Sequence, residues 1–450
     1  MQTLRHPPRL VAAGLLCGVL GALGCGALDT QNPNIVDPDN LNTPGGAAAK
    51  RLGAISQFTL AKDGDYNFVY IPGTTISNDA SDGQILLSGT LSDELVNPGF
   101  IPTRTEIDLR QAQPNNITVA DLYRSLHRAR AATEDAANSL LTYSEDPSVD
   151  TGIPEMLSLA GYTYVLFAET FCSGVPVSRV VNGEIQYGDQ LTTAQLLDTA
   201  VTRFQAALAQ PSIAAGDPIH SLASVGLGRA LLNLGDYSGA ALAVQDVPSD
   251  FVYYTEHAET PSALQNTISL AFSGGNFGVE DIEGGEGLDF VSAEDLRVTG
   301  DSGTGTDGST LTWIPSKYPT LDSPVPTADY LEAQLIIAES ELQSGALSAM
   351  TQRLNDLRAT VELDPLPNPV DQATAIDILF RERAFWLFLT GHRLGDLRRL
   401  VRQYGRPADT VFPSGLYFKG GQTYGPGVNL PLPATETNNP KVQGCLDRNA

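Results

Sequence analysis

Fifty-two acidic residues stand against 27 basic ones and five histidines, so carboxylates are the commonest reactive groups in this chain. Adjacent acids such as Asp93-Glu94 and Glu280-Asp281 are the residue types of a glycosidase pair, in which one carboxyl protonates the leaving oxygen and the other attacks or activates water. So acidic a chain produces such neighbours by number alone, and they specify no reaction. The histidines are scattered, with no HExxH, no Cys-x-x-Cys, no Walker loop and no Ser-centred elbow. Gly274-Gly275-Asn276-Phe277-Gly278 is not set in a strand-to-helix phosphate loop. Catalysis therefore gains no support, the chain is not expected to be an enzyme, and no cofactor is assigned. Tyr66, Tyr70, Tyr253, Tyr254, Trp313 and Tyr318 are the candidate ligand-binding residues, most of them in irregular sequence. Sugar rings present flat C–H faces that stack on exposed aromatics, while Asp, Asn and Arg take the hydroxyls. The competing expectation for each ring is core packing, where most aromatics lie. Asn78, Asp79 and Asp82 are of the type that holds calcium, but a solvated turn has the same spacing.

The elements that must position these residues are mostly helical. Apolar residues at three- and four-residue steps predict helices over 44–61, 119–143 and 154–171. Further pairs follow at 195–209 with 222–234 and at 331–342 with 348–360. Leu234-Gly235-Asp236-Tyr237 and Ala240-Ala241 have the small-residue pattern of a tetratricopeptide hairpin, in which Gly and Ala let two helices approach closely. Tyr66, Phe68 and Tyr70 alternate along a short extended segment before the polar loop 78–83. Two irregular blocks, 249–326 and 404–429, interrupt the helices, and loops on a rigid frame are where binding residues tend to lie.

Arg381 to Leu400, RERAFWLFLTGHRLGDLRRL, mixes an apolar run with charges at both ends. Ile376, Phe380, Ala384 and Leu387 make one apolar helical face. Gly391 is expected to end that helix through a left-handed cap, and Leu394, Leu397 and Val401 to carry a second, shorter one. Charges so close to an apolar segment must find partners, so Glu382, Arg383, Arg393 and Asp396 read as a structural ion-pair network. Trp386 reads as core and His392 as a packed hydrogen-bonding residue.

Glu382-Arg383, Gly391-His392-Arg393 and Asp396-Leu397-Arg398-Arg399, in that order, resemble the C-terminal signature of the SusD/RagB family. Ala338-Glu339-Ser340-Glu341, Leu354 to Arg358, and Leu430-Pro431-Leu432-Pro433 with Glu436 and Asn439-Pro440 extend the resemblance over about residues 327–442. Gly174-Val175-Pro176 and Asp295 to Val298 are weaker echoes of it. Trp386 and Thr390 depart from the pattern, standing where family members usually carry acids. The resemblance implies a mostly α fold of tetratricopeptide-like hairpins with a loop-rich ligand face. It also implies a surface lipoprotein that captures an oligosaccharide or peptide and passes it to a SusC-like TonB-dependent β-barrel transporter. The alternatives are a tetratricopeptide-type assembly scaffold that binds protein only, and a lipid-anchored glycoside hydrolase.

Residues 1–25 read as an export signal: Arg5, His6 and Arg9 precede an apolar run, Leu10 to Leu23, too short to span a bilayer comfortably. Ala22-Leu23-Gly24-Cys25 resembles a lipobox, which makes Cys25 the expected lipidation site and the outer membrane the expected location, facing the cell surface. Residues 26–47 are expected to be a tether and 48–450 a single body. The formal charge is −25; cleavage before Cys25 removes two arginines and no acids, giving 25 − 52 = −27. A chain this acidic, without a basic stripe, is not expected to bind nucleic acid. Cys172 and Cys445 then remain, and an even pair in an exported chain reads as a disulfide, the alternative being two thiols too far apart to meet.

Overall fold

The computed structural model describes residues 38–65, 68–71, 74–77, 82–181 and 183–449. Cys25, the export signal, Tyr66, Asn78 and Asp79 lie outside the described residues. The helices are α1 (Pro44–Asp63), α2 (Gly83–Leu91), α3 (Pro102–Asp108), α4 (Ile117–Tyr143), α5 (Gly152–Thr170), α6 (Thr193–Leu208), α7 (Pro218–Leu234), α8 (Tyr237–Val244), α9 (Thr267–Ser273), α10 (Tyr330–Gln343), α11 (Leu347–Ala359), α12 (Gln372–Trp386) and α13 (Arg393–Arg402). Several start one or two residues before the apolar periodicity does, because the capping residue sets the start. Asn116 accepts the Val119 amide at 3.1 Å, Thr192 and Gln195 form a reciprocal capping box, and Asp329 accepts the Glu332 amide at 2.7 Å. Thr43 caps α1 in the same way, so the helix begins inside the stretch expected to be a tether.

Consecutive helices pack as antiparallel hairpins: α4 on α5, α6 on α7, α7 on α8, and α10 on α11. Gly235 ends α7 at a positive φ of 83°, which lets α8 turn back immediately. Close approach explains two other glycines. A Cβ at Gly226 would lie 2.2 Å from the Phe204 ring, and one at Gly161 would lie 2.8 Å from it, so Phe204 of α6 wedges between α5 and α7 only because both positions are bare. Strands are short and pair in twos; the one that bears on the site is the antiparallel pair β7 (Val252–Thr255) and β10 (Val325–Asp329), which sets Tyr253 opposite Ala328 and Tyr254 opposite Pro326. In numbering order the others are β1 (Phe68–Ile71) with β2 (Thr74–Ser77), β3 (Val175–Pro176) with β6 (Gln190–Leu191), β4 (Arg179–Val181) with β5 (Glu184–Gln186), and β8 (Gly300–Thr304) with β9 (Leu311–Pro315). Mostly α, with tetratricopeptide-like hairpins and loop-built irregular blocks, is the observed class.

The segment 381–400 differs from expectation in one respect. Helix α12 stops at Trp386 rather than at Gly391. Leu389 and Gly391 both take positive φ, 56° and 78°. The chain unwinds there because distant side chains take over the freed backbone groups: Glu94 accepts the Leu389 amide at 3.0 Å, Tyr318 donates to the Leu389 carbonyl at 2.9 Å and Lys317 to the Phe388 carbonyl. Trp386 is buried, under the Arg297 guanidinium. The expected network of four charges is three separate arrangements. Arg383 and Arg399 both donate to Asp396, at 2.8 and 2.7 Å, and Arg399 also to Glu339. Glu382 turns away to Arg297 and Arg358, each at 2.6 Å. Arg393 reaches Asp93 at 2.6 Å, 300 residues distant. His392 is buried, with Nδ1 2.8 Å from Thr390 Oγ1 and Nε2 2.8 Å from Arg229 and 3.1 Å from Glu332. Cys172 and Cys445 are joined by a disulfide, with Cα atoms 5.8 Å apart. Among the described residues no helix is long and apolar enough to cross a membrane.

Candidate ligand-binding face

Two of the six sequence-chosen aromatics share a surface. Tyr253 and Tyr254 of β7 line a groove of about 480 Å³ against α1, with Leu52, Ile55 and Leu264 as apolar wall and Glu155, Glu256 and Gln265 as polar groups. Tyr253 is pinned: its hydroxyl donates to Glu155 at 2.9 Å, and Arg51 holds the other Glu155 oxygen at 2.6 Å. Burial and the Glu155 charge push its phenol well above the ordinary range. Tyr254 is 40% exposed and offers its ring to the groove. Beside them Asp63 accepts from Lys62 at 2.7 Å and Thr255 at 2.5 Å, with His257 at 3.1 Å. Burial alone would raise the Asp63 carboxyl, but Lys62 and His257 pull it below its usual value. The cluster is saturated, and it stiffens the groove edge instead of reaching for ligand.

The other choices fall elsewhere. Tyr318 is buried, its hydroxyl spent on the Leu389 carbonyl where α12 unwinds, so it is an anchor and not a stacking platform. Trp313 is half-buried on β9, hydrogen-bonded through its backbone to Val279 and packed against the core formed by Phe272, Phe277 and Phe290. Tyr70 lies in β1 opposite Thr75. Asp82, offered as a calcium ligand, is instead a buried partner of Arg104, which donates to it from Nε at 2.8 Å and from Nη2. Among the described residues no cluster of three metal-ligating side chains occurs. Asp93 and Glu94 are buried as well, the first held by Arg393 and the second on the Leu389 amide, so neither faces a cleft.

A second groove, of about 510 Å³, was not foreseen. It is built by the turn before α3, by α3 itself and by the block 404–429, and it is lined by Phe100, Glu106, Leu109, Gln111, Gln113 and Gln422. Phe100 is 72% exposed, the most exposed aromatic side chain described. It is not loose. Asn97 accepts the Gly99 amide at 3.2 Å and donates to Thr105 at 2.9 Å, and Lys419 donates to the Gly99 carbonyl. A Cβ at Gly99 would lie 2.6 Å from Thr306, so this turn also fits tightly against the opposite loop. Gln111 donates to the Thr423 carbonyl at 2.9 Å and Gln113 to the Gln111 carbonyl at 2.7 Å, so both side-chain amides are held at the groove. An exposed ring on a hydrogen-bonded turn beside three side-chain amides is chemistry for a neutral polyhydroxylated ligand. Asn97-Pro98-Gly99-Phe100, an aromatic directly after an Asn-Pro-Gly turn, was the sequence signal available for it.

The architecture is shared with solved structures. A SusD superfamily protein from Bacteroides thetaiotaomicron VPI-5482 superposes with a TM-score of 0.67, covering 90% of this chain and 99% of that one at 15% identity. This chain has the SusD fold. A SusD-like carbohydrate binding protein from Bacteroides fragilis NCTC 9343 gives 0.62, with 88% and 98% covered at 16% identity. A laminarin binding SusD-like protein gives 0.57, with 90% and 99% covered at 13% identity. No family model matches the sequence, and no curated protein matches it. At these identities the SusD-like structures speak for the fold, and the site rests on the residues described above.

Proposed function

We propose that this chain captures a glycan on its loop-built face and hands it to a TonB-dependent outer-membrane barrel, held at the cell surface by a lipid on Cys25. The observation that carries the glycan reading is Phe100, an exposed ring on a hydrogen-bonded turn, in a groove it shares with Gln111, Gln113 and Gln422. Covering roughly 60 Å² of that ring with a sugar face is worth about 1.5 kcal/mol at 25 cal/mol per Å². The Tyr254 groove supplies a second contact of the same kind. Relatives in fold that are described as carbohydrate-binding support the reading. So does the burial of the adjacent acids Asp93 and Glu94, which weakens the hydrolase alternative. The test is calorimetric titration of the folded body with a panel of neutral oligosaccharides. Phe100→Ala should weaken the bound member about tenfold, the equivalent of 1.4 kcal/mol, without changing thermal stability. An unchanged affinity would remove Phe100 from the site. Hand-over is tested by recovering the lipidated protein from mildly solubilised outer membranes: a stoichiometric large β-barrel supports it, and recovery of the protein alone argues for the scaffold reading.

A further inference from the structure

Beneath the Phe100 groove lie two acids that ligand binding does not use. Asp108 ends α3 and Glu283 sits in the turn 283–285 of the first irregular block; each is 1% exposed. Asp108 Oδ2 accepts the Tyr417 hydroxyl at 2.7 Å and the Asn97 amide at 2.7 Å. Glu283 Oε1 accepts the Tyr424 hydroxyl at 2.8 Å. The remaining oxygens, Asp108 Oδ1 and Glu283 Oε2, are buried and receive no donor from any described residue. Tyr417 and Tyr424, whose hydroxyls hold the two acids, pack edge to face with ring centroids 5.4 Å apart, which brings the two carboxyls with their orphan oxygens together. An ionised carboxylate has only acceptors, so a bond between two of them requires a proton on one.

Charge points the same way. Arg110 donates to the carbonyls of Gly427 at 2.8 Å and Pro413 at 2.5 Å and lies 4.9 Å over Phe412, with no carboxylate as hydrogen-bond partner. A pair holding one proton carries −1; a pair holding none would set a second buried negative charge against the first, with Arg110 already shared with Asp409. The other groups facing the cluster are committed. Lys419 is on the Gly99 carbonyl and 3.9 Å from Asp307, and Asp93 is taken by Arg393. Glu280 acts on Tyr417, and Asp409 on Arg110.

We propose that Asp108 and Glu283 share one proton, and that this proton is a latch fastening both irregular blocks to α3 beneath the Phe100 groove. The latch joins three pieces of chain: α3, the 283–285 turn, and 413–424, where Gly284 lies so close to Pro413 and Ser414 that a Cβ would sit 2.5 Å from the Ser414 amide. Burial raises both carboxyls, Asp108 to about 7 and Glu283 well above its ordinary value, with the Asp108 charge adding to the second. Folded pKa values above the unfolded ones mean that the stabilisation is whole below about pH 4 and declines as pH rises through about 7. On release the proton passes to solvent, and two like charges are left in contact. The face is thus closed in acid and loosens in alkali. As a regulator of ligand capture the latch rests on the glycan reading above; as a structural device it does not.

The test uses the whole folded body and three sequences: wild type, Asp108→Asn and Glu283→Gln. In Glu283→Gln the amide nitrogen donates to Asp108 and the amide oxygen still accepts from Tyr424, so the bond survives without a proton. Amide exchange of residues 415–424 should accelerate in wild type relative to Glu283→Gln by up to about tenfold per pH unit between about pH 4 and 7, and level off once the pair has ionised. Carboxyl ¹³C titration of wild type should show a signal that keeps its protonated position to about pH 7 and is absent from both variants. This readout needs no folded variant to be informative, since ordinary acidic titration of every carboxyl in wild type overturns the proposal. Identical exchange in wild type and Glu283→Gln across the range overturns it too. If both readouts appear and no neutral oligosaccharide binds, the latch stands and the glycan reading falls.

Discussion

Asp396 offers the sharpest test of how this fold is held together. Its two oxygens accept three bonds, from Arg383 Nε at 2.8 Å, Arg383 Nη2 at 2.9 Å and Arg399 Nη2 at 2.7 Å. Asp396, Arg383 and Arg399 are between 1% and 3% exposed. Burial would raise the carboxyl, but the two guanidiniums outweigh it and hold the group far below the usual carboxylate range. Asp396→Asn keeps the shape, removes the charge and substitutes an NH₂ for one acceptor, which then points at a guanidinium. Two arginines are left facing Glu339 alone, and breaking a buried pair in this manner costs about 3–5 kcal/mol. A body of this size gains about 0.9 kcal/mol of unfolding entropy per degree, at roughly 2.1 cal/mol/K per residue, so the melting temperature should fall by about 3–6 °C. Because the folded pKa is depressed, the stabilisation is present above about pH 4 and is lost as pH falls towards the folded value; the variant should therefore be less acid-sensitive than wild type. Differential scanning calorimetry at neutral and acidic pH reads both effects. A neutral-pH melting temperature within about 1 °C of wild type would refute the reasoning, because it would mean that the charge in this pair contributes nothing.

Other outcomes follow from the same structure. The Cys172–Cys445 bridge spans 273 residues of sequence, and chain entropy sets a ceiling of about 5–6 kcal/mol on its contribution. Replacing both cysteines with serine should cost about 2–5 kcal/mol in denaturant unfolding, and no change would show that the C-terminal tail is held without it. Glu94 is raised by burial to about 7 despite the Leu389 amide and Arg393, so wild type loses stability as pH climbs from about 4.5 to 7. Glu94→Gln should abolish that loss, up to about 3 kcal/mol, and a pH-stability profile parallel to wild type would disprove it.

Much of the frame was legible in the sequence because helix signals are local. Asp329 beside Glu332, and Thr192 beside Gln195, declare helix starts within four residues, and α10 and α11 fall within a residue or so of the apolar periodicity. Helix α2 escaped notice for the opposite reason: every residue from Gly83 to Leu91 is buried, so it has no polar face and no period to detect. The charges of 381–400 announced that partners must exist, but their identities are non-local. Arg393 finds Asp93, Glu382 finds Arg297, and the unwinding at Leu389 is possible only where Glu94, Lys317 and Tyr318 arrive. That convergence buried Tyr318 and took it out of the ligand face. Composition determined that this is an acidic chain of helical hairpins with aromatic-bearing loops. Which rings see solvent was decided by tertiary structure, because exposure depends on what the rest of the chain leaves uncovered; Phe100 is exposed since its turn is clamped from behind by Lys419 and Thr306, far away in sequence.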